Sequence, residues 1–359
     1  MPERPSLTAK QLLGAFAAIG VAVGGSAAAF AYTSGWLDPG RLTPERIVDA
    51  LGHRGGNPVG HRRNHSKGIC FTGSLESNGA GTRLSTARVL APGSYGVVGR
   101  FAVAVGNPAA PDTMGRVRSM AIQVTTPDGQ EWRSGMNSSP VFVVSTPQAF
   151  YEATLAATID PVSGKPDPQA NARFIAAHPE TAAFNHWAQT APWTATFADQ
   201  SYNSLTAFRF IDQAGHDRAV RWSMQPLVPM QAALQTQLAQ LGPDFLSADL
   251  KQRLAAGPLR WRLVVILAAG GDPTNDATKA WPADREQIEV GTLVVRAAQD
   301  EADRPCRDIN YDPTVLPTGI EISDDPLLPA RSSAYANSFD RRTAELGLGR
   351  KAAALEGRP

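Results

Sequence analysis

Short apolar segments separated by turn residues place the strongest constraint on how this chain can fold. They are rich in Val, Ile and Phe and cover residues 95–105, 119–125, 140–145, 206–211, 219–224, 261–268 and 292–295. The segments 206–211 and 219–224 alternate large apolar residues with polar ones around Gln213-Ala214-Gly215, which is the pattern of a β-hairpin. Each of these segments is therefore predicted to form a β-strand.

Helical patterns lie between these strands, over residues 147–157, 169–177, 231–241 and 248–255. Thr43-Pro44-Glu45 begins a further short helix, because Thr can cap a helix and Pro suits its first turn. Clustered strands with inserted helices favour an α+β protein built on an antiparallel sheet, which can close into a barrel. Parallel β-α-β units are not indicated.

The N-terminal segment differs from the rest of the chain because no residue from Gln11 to Leu37 is charged. A bilayer span takes about 20 apolar residues, whereas the apolar region of a cleaved signal peptide has about 7 to 15. The segment has spanning length, but Ala29-Phe30-Ala31 also fits a small-x-small cleavage site. We therefore expect residues 1–40 to be a membrane anchor or a signal peptide, and residues 41–359 to be exported.

The charge balance and the cysteine content limit which partners and which cellular compartment the sequence suggests. The 34 Lys and Arg residues nearly balance the 33 Asp and Glu residues, so the broad positive potential that supplies nucleic-acid affinity is missing. No nucleic-acid partner is expected. An oxidising compartment would permit Cys70 and Cys306 to pair, but two buried thiols fit the sequence equally well.

Three segments, far apart in the sequence, carry groups suited to chemistry. The first, Arg62-Arg63-Asn64-His65-Ser66-Lys67-Gly68, surrounds a histidine with cations that favour the neutral imidazole a general base needs. The second, Asn137-Ser138-Ser139-Pro140, places an asparagine before a predicted strand. Taken singly, a surface histidine and a turn asparagine are the simpler interpretations.

The third segment lies near the C-terminus and combines three short motifs with an arginine four residues before a tyrosine: Tyr311-Asp312-Pro313, Gly319-Ile320-Glu321, Asp325-Pro326, and Arg331 with Tyr335. If Ser332 or Ser333 caps a helix, then Tyr335, Phe339 and Arg342 share one of its faces. That face would carry one phenol flanked by guanidinium groups. By itself, the pattern describes the end of an amphipathic helix with a buried tyrosine and solvated arginines.

Together and in this order, the three segments resemble the haem catalases. In that family the distal site has the motif Arg-x-x-His-Ala-Lys-Gly, and the asparagine that orients the peroxide lies in the motif Asn-Asn-Thr-Pro. The proximal helix has the motif Arg-x-x-x-Tyr, which follows a Gly-Ile-Glu and an Asp-Pro. Gly99-Arg100-Phe101 and Asp112-Thr113 resemble the stretch that lies between the first two motifs. The resemblance runs from about His65 to Arg342 and implies an antiparallel β-barrel core with inserted and C-terminal helices, the catalase-like haem fold.

Because the sequence stops at Pro359, soon after the proximal helix, it resembles the short exported catalase-related peroxidases. We therefore expect a chain without the C-terminal helical domain of large catalases, without a nicotinamide nucleotide, and forming a monomer or small homo-oligomer. Combined with the N-terminal segment, the resemblance predicts a location in the periplasm or on the outer face of the inner membrane.

The resemblance also implies how a haem b would be held. Tyr335 would ligate the iron as a phenolate, and Arg331 would donate a hydrogen bond to its oxygen. Three arginines match the positions that bind the haem propionates, and one ring matches a position beside the haem on the distal side: Arg62, Arg100 and Arg342, and Phe150.

On the distal side, the resemblance implies that His65 takes a proton from the peroxide and returns it to the far oxygen, while Asn137 holds the peroxide in place. Where the family has Ser after Arg-Phe, this chain has Ala102, so we expect His65 to lack a hydroxyl that commonly supports it. Ala334 likewise replaces the Ser before Tyr335.

The sequence thus predicts a haem-dependent peroxidase that reduces hydrogen peroxide or organic peroxides, oxidises a small organic donor and disproportionates hydrogen peroxide weakly. A true minimal catalase and an allene-oxide-synthase-like hydroperoxide isomerase are the open alternatives. A haem-binding module without catalysis fits less well, because a binder needs neither His65 nor Asn137. A haem-free barrel would be shown by a colourless purified protein.

Overall fold

The structure is a computed structural model, and it describes residues 8–38, 40–160, 163, 165–303 and 305–356. The chain divides into two compact units, Met1–Ile47 and Val48–Pro359. The boundary that the sequence suggests, between residues 40 and 41, stays a prediction.

In the first unit, the uncharged segment forms helix α1, Ala9–Thr33. The Thr8 hydroxyl accepts a hydrogen bond from the Gln11 amide, and the Gln11 side chain accepts one from the Thr8 amide, so the two residues form a capping box. The 25 residues extend about 37 Å, whereas the apolar core of a bilayer is about 30 Å thick. No side chain of α1 is buried, and the helix is long and apolar enough to cross a membrane.

Helices and strands follow α1 in this order: α2 Pro44–Arg54, β1 Lys67–Ser77, β2 Gly93–Val103, β3 Arg118–Thr125, β4 Glu131–Asn137, α3 Pro147–Ala156, α4 Pro168–Ala177, α5 Ala182–Thr190, β5 Tyr202–Asn203, β6 Phe208–Ile211, β7 Asp217–Pro226, α6 Gln235–Leu238, α7 Phe245–Ala256, β8 Leu259–Leu267, β9 Gln287–Asp300, β10 Ile320–Ile322 and α8 Leu327–Glu356. Short 3-10 turns lie between several of them, including Glu301–Asp303 and Cys306–Asp308.

Within the described residues, the ten strands form one antiparallel sheet, and eight of them close into a barrel. The ring runs β7-β5-β4-β3-β2-β1-β9-β8, and β8 pairs with β7 to close it. Strands β6 and β10 extend the sheet beyond β7. Alternate side chains point inward and fill the barrel with aromatic rings, such as Phe101 packed against Phe71 and Trp261. The predicted α+β class with an antiparallel barrel is confirmed.

The strand predictions are confirmed for six segments and wrong for residues 140–145. That segment is a loop, in which the Phe142 amide donates to the Ala277 carbonyl instead of to a sheet neighbour. Strands β1 and β4 were not predicted, since glycines and polar residues weaken their apolar pattern. The helix predicted over residues 231–241 forms only between Gln235 and Leu238.

Helix α8 begins earlier than predicted, at Leu327. The Asp325 carboxylate accepts a hydrogen bond from the Leu327 amide, so Asp325 caps the helix and the prediction of Ser332 or Ser333 as the cap is wrong. Ser332 instead donates to the Asp312 carboxylate, at 2.6 Å, and thereby ties the first turns of α8 to the preceding loop.

Cys70 of β1 and Cys306 form a disulfide, a pairing that the sequence left open. The bridge joins the barrel to the turn that begins at Cys306, and the two cysteines pack against Tyr311. The same stretch of chain supplies backbone carbonyls to the arginines described below, so the disulfide holds one wall of that site in place.

Candidate functional site

His65 lies in the loop between α2 and β1, with a backbone conformation that few side chains adopt. Its φ of +51° is left-handed, which for a residue other than glycine costs on the order of 1 kcal/mol. The amide and hydroxyl of Ser66 both donate to the Val105 carbonyl, at 3.0 and 2.9 Å, and hold the loop in this conformation. Strain of this kind persists where the surrounding structure enforces it, which is common at functional sites.

The His65 imidazole is neutral in this environment. Burial, followed by the positive charges of Arg100, Arg54 and Arg331, lowers the pKa of His65 to about 3. The cations responsible come from α2, β2 and α8 as well as from the histidine's own loop. A neutral imidazole near neutral pH can accept a proton, which is the property expected from the sequence.

Three neighbouring strands place a row of residues beside His65. Ala102 of β2 pairs with Ser119 of β3, and Ser119 pairs with Asn137 of β4, so the three residues project from one face of the sheet. The Ser119 hydroxyl lies 3.0 Å from His65 Nδ1. The expectation that His65 lacks a supporting hydroxyl is therefore wrong, because the adjacent strand supplies one. Asn137 is the last residue of β4 and does not precede a strand.

Arg62, from the histidine loop, and Arg342, from α8, meet at the same two backbone carbonyls. Arg62 Nη2 lies 2.9 Å from the Ile309 oxygen, and Arg342 Nη2 lies 3.3 Å from it. Both side chains also donate to the Arg307 carbonyl. The turn that follows the disulfide therefore brings together two guanidinium groups from distant parts of the sequence.

Arg100 of β2 joins this group through the carboxylate of Glu301. Arg100 Nε and Nη2 donate to Glu301 Oε2 at 3.0 and 2.7 Å, and Arg62 forms an ion pair with the other carboxylate oxygen. Gly68 leaves room for the arginine, since a Cβ there would lie 2.5 Å from the guanidinium carbon of Arg100. A carboxylate shared by two guanidinium groups shows that this pocket binds anionic oxygens.

The burial of these guanidinium groups is electrostatically costly. It lowers the pKa of Arg100 to about 9 and that of Arg342 to about 10, and it lowers the pKa of Arg62 well below its usual value. Repulsion from Arg100 and Arg342 adds to the effect at Arg62. Because arginine keeps its proton in proteins, an anion bound in this pocket would reduce the cost.

Tyr335 and Arg331 lie one turn apart on α8. Arg331 Nη2 lies 3.3 Å from the Tyr335 hydroxyl oxygen and 3.4 Å from the Gly135 carbonyl of β4. A Cβ at position 135 would come within 3.2 Å of the same nitrogen, so the glycine gives the guanidinium its space. Gly135 precedes Asn137 by two residues, and Arg331 thereby ties the tyrosine to the strand that carries the asparagine.

Phe150 of α3 stacks on Phe142, with ring centroids 5.8 Å apart and 25° between the planes. Phe142 lies in the loop that follows Asn137. The structure thus places Phe150 beside the loop that leaves β4.

Apart from Phe150, the residues singled out in the sequence fall into three groups. His65 and Asn137 meet through Ser119, Arg331 contacts Tyr335, and the remaining arginines share the carboxylate and the carbonyls described above. Sequence reasoning missed Ser119 and Glu301. The role of Ser119 depends on the pairing of β2 with β3, which no spacing reveals, and the sequence carries no signal that singles out Glu301.

The comparisons with protein families and with individual proteins point to the same family. A protein-family model described as Catalase matches residues 33–347. A catalase-related peroxidase from Synechococcus elongatus is 36% identical over 305 residues, which cover 85% of this chain and 90% of that protein. A catalase-related peroxidase from Mycolicibacterium paratuberculosis is 31% identical over 305 residues, covering 85% of this chain and 96% of that protein.

Among solved structures, a fungal catalase superposes with a TM-score of 0.73 at 19% sequence identity. The superposition covers 84% of this chain and 64% of the fungal chain. At this identity it shows that the two proteins share the barrel fold.

Proposed function

Because this chain belongs to the catalase family, we propose that it is a haem-dependent peroxidase that reduces hydrogen peroxide or an organic peroxide with electrons from a small organic donor. Family membership makes it a haem oxidoreductase that acts on peroxide. The name that both relatives carry supports donor oxidation as the main reaction. The observation that carries the proposal is a neutral His65 held in one row with Asn137.

The side chains on α8 fit the iron of a haem b. Tyr335 offers an oxygen ligand, and Arg331 Nη2 lies 3.3 Å from that oxygen, within reach of a hydrogen bond to it. We therefore assign Tyr335 as the iron ligand and Arg331 as the residue that supports it.

The arginine pocket fits the carboxylates of a haem b. Glu301 occupies the forks of Arg62 and Arg100 in the way that a propionate carboxylate would. We assign three arginines to the propionates and one phenylalanine to the distal side of the haem: Arg62, Arg100 and Arg342, and Phe150.

When bound, the haem iron supplies the redox chemistry that breaks the O–O bond. The protein's own contribution is the proton transfer that this cleavage requires. Neutral His65 accepts a proton from one peroxide oxygen and gives it to the other, which leaves as water or, from an organic peroxide, as an alcohol. The Asn137 amide donates a hydrogen bond that holds the peroxide beside His65. The organic donor supplies the two electrons that reduction of the peroxide consumes.

We further infer that α1 directs the rest of the chain out of the cytoplasm, to the periplasm or the outer face of the inner membrane. The length and apolar character of α1 support a signal or an anchor. The disulfide between Cys70 and Cys306 supports the same conclusion, because disulfides persist in oxidising compartments.

Replacement Tyr335→Phe removes the proposed iron ligand and should abolish haem retention or change the absorption spectrum. We would measure the ratio of haem to protein after gel filtration. Tyr95→Phe is the matched control, because the Tyr95 hydroxyl donates to the Arg88 and Ala91 carbonyls and faces no residue of the site. A haem spectrum that Tyr335→Phe leaves unaltered would refute the ligand assignment.

Replacement His65→Ala should slow the reaction with peroxide about 10² to 10⁴-fold, the usual contribution of general acid/base catalysis, while haem stays bound. Asn137→Ala should cost only about fivefold, since one hydrogen bond is worth about 1 kcal/mol. Because the pKa of His65 lies at about 3, the rate constant of the unmodified protein should be flat from about pH 4.5 to 7.

Stopped-flow mixing with hydrogen peroxide would give these rate constants. His61→Ala is the control, as His61 is an exposed histidine in the same loop. Equal rates for His65→Ala and the unmodified protein would exclude His65 as the proton carrier.

Oxygen release and oxidation of a phenolic donor, measured side by side, separate the peroxidase from its alternatives. Donor oxidation should dominate when hydrogen peroxide is the substrate. Rapid oxygen release with negligible donor oxidation would identify a small catalase. Conversion of a fatty-acid hydroperoxide without any donor would identify an isomerase.

A fusion of residues 1–40 to an enzyme that is active only outside the cytoplasm should report export. The same reporter without these residues is the negative control, and a known leader is the positive one. The mass of the exported fusion distinguishes a cleaved signal from an anchor. If the fusion shows no reporter activity while the known leader does, the proposal is contradicted.

A further inference from the structure

We propose that Ser119 is a positioning residue that fixes the tautomer of His65, an inference that rests on the proposed role of His65 as the proton carrier. Ser119 is buried, with 9% of its surface exposed, and its Oγ lies 3.0 Å from His65 Nδ1. The same oxygen lies 3.4 Å from the Ala102 carbonyl oxygen. One hydroxyl therefore contacts both a ring nitrogen and a backbone acceptor.

Both contacts can be hydrogen bonds at once in only one arrangement of protons. The Ala102 carbonyl oxygen only accepts, so in that arrangement Ser119 donates its single hydroxyl hydrogen to Ala102, and the Ser119 oxygen accepts from His65. Nδ1 then carries the single ring proton of the neutral imidazole. Nε2 keeps its lone pair and is the nitrogen available to take a proton from a peroxide. Without the hydroxyl, nothing in this pair of contacts would favour that tautomer over the other.

Strand pairing explains why the hydroxyl can come from position 119. Ala102 and Ser119 are direct partners across β2 and β3, on the same face of the sheet. The small side chain of Ala102 leaves that face open, and the neighbouring strand reaches the histidine instead. The two positions should therefore be interchangeable as sources of the hydroxyl.

Three variants test this inference in the full-length, haem-loaded protein. Ser119→Ala removes the hydroxyl, Ser119→Thr keeps one at the same position, and Ser119→Ala with Ala102→Ser returns one from the paired strand. Ser77→Ala is the matched control, because the Ser77 hydroxyl is also buried and donates to a backbone carbonyl, that of Val89, at the far end of β1.

Ligand binding supplies a readout besides activity. Hydrogen cyanide must pass its proton to a distal base when it binds, whereas nitric oxide binds without proton transfer. We expect Ser119→Ala to slow cyanide association and to lower kcat/KM for hydrogen peroxide about tenfold or more, by analogy with partners that orient histidines elsewhere. Haem content and nitric oxide association should not change. Ser119→Thr and the double variant should restore most of both rates, and Ser77→Ala should match the unmodified protein.

The variant His65→Ala separates failure of this inference from failure of the proposed function. Slow reactions in His65→Ala with normal reactions in Ser119→Ala would overturn the role of Ser119 alone. Normal reactions in His65→Ala would overturn the proposed role of His65 as the proton carrier and this inference with it. A defect in Ser119→Ala that neither hydroxyl-restoring variant repairs, or that extends to nitric oxide, would mark Ser119 as merely structural. Absence of any further loss on adding Ser119→Ala to His65→Ala would support the proposal.

Discussion

The burial of several guanidinium groups in one pocket is the constraint around which this site is organised. Arg62, Arg100 and Arg342 come from a loop, a strand and a helix, and each loses much of its contact with water. Such groups are stable only where oxygen atoms replace the lost water. The Arg307 and Ile309 carbonyls and the Glu301 carboxylate perform this function. Burial, followed by the positive charges of Arg100, Arg54 and Arg331, lowers the pKa of His65 and keeps its imidazole neutral, so His65 can accept a proton beside a pocket that suits an anion.

The register of the barrel strands determines which side chains lie beside the buried histidine. Antiparallel pairing across β2, β3 and β4 aligns three residues on one face, beside the loop that holds the histidine. A side-chain function on such a face is not confined to one position, because paired residues lie only about 5 Å apart. Position 102 carries no hydroxyl, but Ser119 stands directly opposite and places one 3.0 Å from His65 Nδ1. The hydroxyl that the sequence lacks at position 102 on β2 is therefore present at position 119 on the neighbouring strand β3.

Short motifs singled out His65, Asn137, Arg331 and Tyr335 because each motif needs a particular residue at a particular spacing. The structure places His65 beside Ser119, the strand partner of Asn137, and it places Arg331 beside Tyr335, while the roles of these residues stay predictions. Strands β1 and β4 escaped prediction because their glycines accommodate an arginine or a neighbouring strand, so the apolar pattern is broken for a structural reason. Ser119, the partner of His65, was not predicted because its position depends on the register between β2 and β3. The disulfide could not be decided, since a separation of 236 residues carries no information on distance.

Helix α8 explains how a phenol and an imidazole from opposite ends of the sequence are held as one site. Its first half carries Arg331 and Tyr335, and its second half carries Glu345, which forms an ion pair with Arg63 and accepts from the Gly60 amide at 2.6 Å. Both of these partners belong to the loop that leads to His65. From position 331 to position 345 the helix rises about 21 Å, so one rigid element connects β4 to the histidine loop. The helix thus contacts both the strand that carries Asn137 and the loop that carries His65, which is the arrangement that the proposed iron ligand and the proposed proton carrier require.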